Sequence, residues 1–311
     1  MGRTRVLTIG NTVLDVIGKT PDELPRFGEL AAGRGPADID VGGNGAIAAV
    51  EVAVLGADSS LASTVGKDPW GKWLTKRLNQ MRVDTRQLVT IKDQPTATTL
   101  SLVRTDGERA LLTHNGASES HDLATIDLDP LGEGDWLLVA SLFLVGAYSG
   151  DPLRRVTEEA HSRGARVALD LAWDSTGDWD LDNLAADTAD IVLGNDREVL
   201  AVACATDLDT AVEKLMATGL RSLIIKMGPE GARVVTREGL DVTVPALDVE
   251  PINATGTGDV FNAALLVALS EGKDLEEAVG FACAAGAVRV VGGCHKFPTR
   301  EEVDGLLAKT G

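Results

Sequence analysis

The stretch "NATGTGDVFNAALLVALSEG", residues 253–272, decides how this chain is read. Small polar residues and two glycines come first, then Asp259, then a long apolar run. Gly256-Thr257-Gly258 lets the backbone turn tightly into a helix. The first turn of that helix has free N–H groups and the positive end of the helix dipole. Such a site attracts phosphate, or the charge that builds on phosphate during transfer. Asp259 in that turn has two readings. It steadies the helix start, worth about 0.3–1 kcal/mol, or it acts on something bound beside the turn.

Around this stretch, strands alternate with helices. "RVLTIG" is a short apolar strand ending at Gly10, and "GGNGAIAAVEVAVLG" turns from glycines into an Ala/Val-rich helix closed by Gly56. "SSLASTVG" reads as a strand, and "DPWGKWLTKRLNQM" as a helix with Asp68 as N-cap and Pro69 first. "TATTLSLVRTDGERALLTHNG" alternates like a hairpin, with Asp106-Gly107 as its tight turn. In the second half, "DWLLVAS", "ARVALDL", "ADIVLGN" and "SLIIKMG" read as strands. Helices lie at "DPLRRVTEEAHSRG", "DREVLAVA" and "DLDTAVEKLMATG". Two long helices follow from Gly258 and from Asp274, and a last one opens with the capping box Thr299/Glu302. This order predicts a single α/β domain over 1–311, a mainly parallel sheet with helices on both faces. Residues 16–41 and 96–118 read as strands that leave the main layer.

Composition narrows the partners. A net charge of −18 and a pI near 4.6 argue against unspecific binding to nucleic acid or to anionic membranes. No run of 18 apolar residues marks a membrane span, and "MGRTRVLTIGN" lacks the apolar core of a signal peptide. Cys204, Cys283 and Cys294 are few and far apart, which fits a reduced, cytoplasmic protein without a zinc cluster.

Two motifs compete with the opening one. "GKDPWGKW", 66–73, nearly spells a P-loop, but Trp73 stands where a hydroxyl must hold magnesium, and Pro69 removes an N–H that would cradle phosphate. A helix start capped by Asp68 is the better reading. "GNGAIA", 43–48, fits a loose dinucleotide fingerprint, yet the stretch before it is polar and the next strand ends without an acid. A glycine-rich turn for close helix packing, or for a ligand, is the better reading; nicotinamide binding at Gly43–Ala48 would overturn it.

Several stretches together resemble the ribokinase, or phosphofructokinase-B, family of carbohydrate kinases. "NATGTGDVFNAALL" is similar to the family's C-terminal signature, and "VGGNGAIAAVEVAVLGADSSLASTVGKDPWG" to its N-terminal one. Asn195-Asp196-Arg197-Glu198 fits its Asn-x-x-Glu element, "IIKMGPEGA" its nucleotide-side strand and turn, and Gly10 with Asp15 its early Gly…Asp. The matches run in order from about residue 6 to 305.

The resemblance implies a ribokinase-like fold and an ATP- and Mg2+-dependent kinase acting on a primary hydroxyl of a small sugar or sugar derivative. It implies Asp259 as the base, and Gly256, Thr257 and Gly258 with the Asp259 N–H as the anion hole. Asn11, Asp15, Gly42, Gly43 and Asn44 would hold the substrate. Lys226, Gly228, Gly231 and Cys283 would lie along the nucleotide, and Asn195 and Glu198 would organise magnesium through water. Residues 16–41 and 96–118 would form a β lid over the substrate, often also a homodimer contact. The departures sit mostly on the substrate side. Asn253-Ala254 replaces Asp-Thr, beside what is in many members a monovalent-cation site, so little response to potassium is expected. Ile47 replaces an Asn that usually meets the sugar, Asn44 stands where ribokinases have Lys, Val13 replaces a polar residue, and "DLAW", 170–173, lacks an Asn. They argue against ribose itself. Two other readings stay open. "GNTVLDV" from Gly10 resembles adenosine-kinase-like members, pointing to a nucleoside acceptor, and an idle nucleotide- or sugar-binding regulator would keep the pockets without turnover.

Overall fold

Val6, Leu7, Thr8 and Ile9 are all buried, because strand β1 (Arg5–Ile9) runs through the middle of a sheet covered on both faces. Leu7 and Ile9 enter one apolar core and Val6 the other, as a period of two requires. The computed structural model describes residues 3–21, 23–104, 109–145, 148–172, 177, 179, 184–293 and 295–310. The Asp106-Gly107 turn, Trp173 of "DLAW" and Cys294 lie outside them.

The main sheet has nine strands. From edge to edge they are β13 (Asp241–Val244), β12 (Ala232–Thr236), β11 (Ser222–Lys226), β10 (Ile191–Asn195), β9 (Arg166–Asp170), β8 (Trp136–Val139), β1, β4 (Asp58–Gly66) and β5 (Leu88–Ile91). The strands from β11 to β5 pair in parallel, and β12 and β13 add an antiparallel hairpin at one edge. Helices α3 (Gly150–Ser162), α4 (Asp196–Val202) and α5 (Leu208–Ala217) cover one face. Helices α1 (Asn44–Val54), α6 (Thr257–Ser270) and α7 (Leu275–Gly292) cover the other, with α8 (Arg300–Thr310) beside them. Helix α2 (Pro69–Gln80) packs with α1 and β4 in a third cluster.

A separate four-stranded sheet runs β3 (Asp38–Gly42), β2 (Val13–Lys19), β6 (Thr98–Val103), β7 (Arg109–His114). β6 and β7 form the antiparallel pair anticipated at 96–118. The strand–helix fold class is as read from the sequence. The hairpin β12–β13 and the short strand β5 were not anticipated. Arg233 pairs with Asp241 across that hairpin and with Asp209 on α5, so the polar positions of the hairpin look like loop. β5 is an edge strand with no buried residue. Helix α6 starts at Thr257 with Gly256 as N-cap, one residue before the expected start. Among the described residues, no helix is long and apolar enough to cross a membrane.

The near-P-loop resolves as a cap. Asp68 Oδ1 accepts the Gly71 N–H at 2.8 Å, and the carboxylate also takes the Thr96 N–H and hydroxyl, each at 2.7 Å. At 43–48, Gly43 is the N-cap of α1 and Gly45 packs against Gly10, where a Cβ would come within 2.6 Å of the Gly10 backbone. That is the close helix packing expected of the stretch.

The centre of the sheet carries the stability. Leu138 on β8 is fully buried. Leu138→Ala should cost about 2–5 kcal/mol. Urea denaturation would measure it, and a loss below about 1 kcal/mol would mean that the site is not packed as described.

Candidate active site

Three parallel strands end in polar residues side by side: Asp170 ends β9, Asn195 ends β10 and Lys226 ends β11. The register sets Asn195 opposite Lys226. Ligands of open α/β sheets bind at such carboxyl ends. The head of α6 points its first turn at the same place, since a Cβ on Gly258 would lie 3.4 Å from Lys226 Nζ.

Lys226 Nζ donates to Asp170 Oδ1 at 2.7 Å and to Asn262 Oδ1 at 3.2 Å. Burial alone would pull its ammonium down, but Asp170 and Glu198, with Asp259, hold it above its ordinary value. Asp259 is buried. Burial first, then the charge of Asp170, push its carboxyl from 3.8 up to about 7, with Glu198 adding to the rise and Lys226 and Arg289 opposing it. Glu198 is also raised, by burial and then by Asp170 against the pull of Lys226. So Asp170, Glu198 and Asp259 share one ammonium, and the cluster has an excess of negative charge.

The turn before α6 is held by specific bonds. Gly256 has φ +72°, a conformation that favours glycine. A Cβ there would lie 2.9 Å from an Arg289 nitrogen and 3.0 Å from Ile47. Asn253 Oδ1 accepts the Thr255 N–H at 2.8 Å and an Arg109 N–H from β7 at 3.1 Å, so its amide shapes the turn and ties it to the second sheet. Thr257 N–H turns back to Ala254 O at 3.3 Å, and Val260 N–H donates to Gly256 O at 3.1 Å. The N–H groups of Gly258 and Asp259 precede that first helical bond. Thr257 Oγ1 and Asn262 Nδ2 are buried without a hydrogen-bond partner among the described residues.

A second cluster forms where β1 leaves the main sheet. Asp15 and Asp40 face each other across β2 and β3. The Asp15 carboxyl lies over Gly42, where a Cβ would meet it at 2.3 Å. Burial, then Asp40, raise Asp15 from 3.8 to about 7, against His295 and Arg289. Asp40 is held by His295 Nδ1 at 2.5 Å. Asn11 accepts the Ser141 hydroxyl at 2.9 Å, and its carbonyl accepts the Ala46 N–H. Gly43 caps α1 against Asn11, and Asn44 opens the helix. The five residues expected to hold substrate therefore gather around the start of α1.

The residues expected along the nucleotide fall in three places. Lys226 belongs to the charge cluster just described. Gly228 begins an open turn, and Gly231 fits against the backbone at Val244–Ala246. Cys283 sits in the apolar core of α7, its thiol pushed by burial up to about 11. Asn195 and Glu198 form a capping box, each side chain accepting the other's N–H at 2.9 and 2.8 Å. Asp170, Asn262, Asp40, His295 and Arg289 were not singled out in the sequence. The alternation of Asp38, Asp40 and Gly42 on one face of β3 was a usable signal, as was one arginine in the long apolar run of α7.

Among the described residues, no group of three or more His, Cys, Asp or Glu side chains is arranged to hold a metal ion alone. The excess negative charge at Asp170, Glu198 and Asp259 nevertheless suits Mg2+ bound largely through phosphate and water, as that ion prefers.

The Asp259 shift has a consequence for stability. Its folded pKa, about 7, lies above its ordinary 3.8. Between those values the folded chain binds a proton that the unfolded chain has released, so this contribution is present at low pH and lost as pH rises through about 7. Asp259→Asn should therefore match the wild type in thermal stability near pH 4 and exceed it at pH 8. Equal melting temperatures at both pH values would show that Asp259 does not carry this burden.

Residues 3–299 match the pfkB family carbohydrate kinase description. Ribokinase of Bacillus subtilis (strain 168) is 29% identical over 309 residues, covering 97% of this chain and 99% of its own. Fructokinase-1 of Zea mays is 28% identical over 334 residues, 99% of each chain. An E. coli structure assigned to a ribokinase II, in complex with ATP and Mg2+, superposes with a TM-score of 0.83 at 21% identity, covering 98% of this chain and 99% of that one. The chain, with a buried carboxylate in the first turn of α6 on a ribokinase-like sheet, belongs to the pfkB family of carbohydrate kinases, phosphotransferases that act on sugar hydroxyls.

Proposed function

We propose that the chain transfers the terminal phosphoryl group of ATP, in the presence of Mg2+, to a primary hydroxyl of a small sugar or sugar derivative. One observation carries this reading: a buried carboxylate, Asp259, stands in the first turn of α6 beside N–H groups that precede the helix's first hydrogen bond. A hydroxyl is a poor nucleophile at neutral pH. Asp259 would accept its proton as the new P–O bond forms, an assistance of typically ~10²–10⁴-fold. The backbone at Gly256, Thr257 and Gly258, with the Asp259 N–H, would hold the charge that builds on the transferring group. The Thr257 N–H, turned toward Ala254, would give less than its neighbours unless the turn tightens on binding.

Lys226 would hold Asp170 in place and balance part of the cluster's charge. Gly228, Gly231 and Cys283 would border the nucleotide, on the side where the turn after β11 opens. Asn195 and Glu198 would hold magnesium-bound water, and Mg2+ would supply charge neutralisation on the phosphates. Asn11, Asp15, Gly42, Gly43 and Asn44 would orient the acceptor. The second sheet would act as a lid that excludes water, tied to the transfer turn through Arg109 and Asn253. An enzyme that consumes ATP works where ATP is held, so the proposed location is the cytoplasm.

The lid also supports a homodimer. On the face turned away from Asp15, Ile39, Leu100 and Leu112 align across β3, β6 and β7 through Val16. All three leucine and isoleucine side chains are exposed. A second copy would cover that row. Leu112→Asp should convert a dimer to a monomer in sedimentation velocity, and a wild type that sediments as a monomer at tens of micromolar would remove the dimer.

The function is tested by ADP release over a panel of sugars and nucleosides. A sugar should give the highest kcat/KM, rising with pH up to about 7 as Asp259 loses its proton. Asp259→Asn should retain ATP binding and lose about 10²-fold or more in turnover. Preference for a nucleoside would replace the sugar assignment, and near-wild-type turnover in Asp259→Asn would remove the base.

A further inference from the structure

We infer that Arg289 is a positioning residue for phosphoryl transfer, a cation built into the wall behind the Gly256–Gly258 turn that takes the place of a soluble monovalent ion. The inference rests on the proposed kinase reading for its consequence, and on geometry for its substance. Arg289 lies near the end of α7 and is 1% exposed. A charge is almost never buried so fully unless it is bonded. Arg289 Nε donates to Thr255 O at 3.2 Å, and Nη1 donates to Lys296 O. The guanidinium also lies 4.8 Å from the centre of the Phe297 ring. Backbone carbonyls are the ligand type that a hard monovalent ion would use. Here a side chain occupies them.

The position of the group matters for the turn. Thr255 is joined to Gly256, the N-cap of α6, and a Cβ on Gly256 would lie 2.9 Å from Arg289 Nη2. Holding the Thr255 carbonyl fixes the peptide that leads into Gly256, and so the direction of the N–H groups that follow. A planar fork with several donors does this with less freedom than a bound ion would.

Glu51 on α1 is buried, and neither of its carboxyl oxygens has a hydrogen-bond partner among the described residues. Burial pushes its carboxyl well above the usual range, toward the neutral form, against the pull of Arg289. The Arg289 charge reaches the turn, where it pulls the Asp259 carboxyl down against its burial, and it acts on Asp15 in the same sense. Asn253 agrees with this. Its side-chain oxygen is taken by the Thr255 and Arg109 N–H groups, so it is not left open for an ion.

Three variants test the inference: Arg289→Lys, Arg289→Met, and Arg289→Met combined with Glu51→Gln, which removes the buried acid that a lost cation would strand. The first measurement needs no activity. Hydrogen exchange of peptides spanning 253–262 should speed up by about tenfold or more in the double variant, while peptides from β8 and β9 keep the wild-type rate. Unchanged exchange at 253–262 would overturn the tether whatever the enzyme's substrate proves to be. The second measurement is kinetic, with saturating Mg2+ and with potassium exchanged for tetramethylammonium at constant ionic strength. The wild type should change less than about twofold. The double variant should lose about tenfold or more in kcat with little change in KM for the acceptor, and should regain part of it with potassium or guanidinium ion. Arg289→Lys should fall between. A several-fold potassium response in the wild type would overturn the inference. So would a double variant that keeps kcat, or one that loses kcat and KM together without rescue. A wild type that turns over no sugar or nucleoside would instead remove the kinase reading, and the exchange measurement would still judge the tether.

Discussion

The site depends on a charge imbalance that the sheet imposes. β9, β10 and β11 are adjacent and parallel, so whatever ends them must share one small space. Asp170 and Lys226 end two of them and form an ion pair at 2.7 Å, both largely buried. Such a pair is costly to build, because each charge leaves water, and more costly to break, because the survivor stays buried alone. Glu198 and Asp259 stand close enough to be shifted by that pair, and Arg289 offsets the rise at Asp259 only in part. The resting cluster is therefore short of positive charge. A ligand that brings cations with its own charge would relieve it, and that is the form in which a nucleoside triphosphate arrives.

On the proposed reading, the imbalance would also equip Asp259 as a base. A carboxylate at 3.8 is a weak proton acceptor, whereas one raised to about 7 matches a neutral solution. Part of that rise is burial under α6 and α7, where the apolar faces of both helices meet. Part is Asp170, which Lys226 only partly answers. On the proposed reading, packing and catalysis are one arrangement. The apolar run that makes α6 a core helix is also what makes the acid at its head basic.

Much of this was legible in the sequence, for local reasons. The Gly-x-Gly turn and apolar run of 256–270, the capped start of α2 at Asp68, and the apolar strands β8, β9 and β11 each carry their pattern within a dozen residues. What was not legible was non-local or polar. β12 and β13 hide their period because Arg233 and Asp241 pair across the hairpin edge. β5 is an edge strand without buried residues. Asp170 and Asn262 are single polar residues in apolar stretches, and their meaning comes from Lys226, which is 56 and 36 positions away. The ligand-like gathering of Asn11, Asp15, Gly42, Gly43 and Asn44 was indicated only by resemblance, because its cause is the meeting of β2, β3 and α1. Arg289, like Asp40 on β3, was a distant residue with a local signal, since a lone arginine in an Ala/Val-rich helix must find bonds inside the fold.

The two halves of the site meet at α1. Its first residues, with Gly43, border the acceptor cluster, and one turn later Ile47 packs against Gly256 at the transfer turn. Ile47 is buried in the core with α6 and α7. It therefore sets the spacing between the clusters and offers no hydrogen bond to an acceptor, which accounts for an apolar residue where a sugar-facing amide was expected. On the proposed reading, discrimination among acceptors would fall on Asn11, Asn44 and the cross-strand pair Asp15–Asp40. Two facing carboxylates, one raised to about 7 chiefly by its burial, accept hydroxyl donors well. They repel an acceptor that carries a negative charge of its own, since a like charge brought to a buried acid costs more than it would in water. On the proposed reading, the same part of the fold that selects a neutral polyol also keeps a phosphorylated product from settling back, because the product differs from the substrate by the charge this cluster opposes.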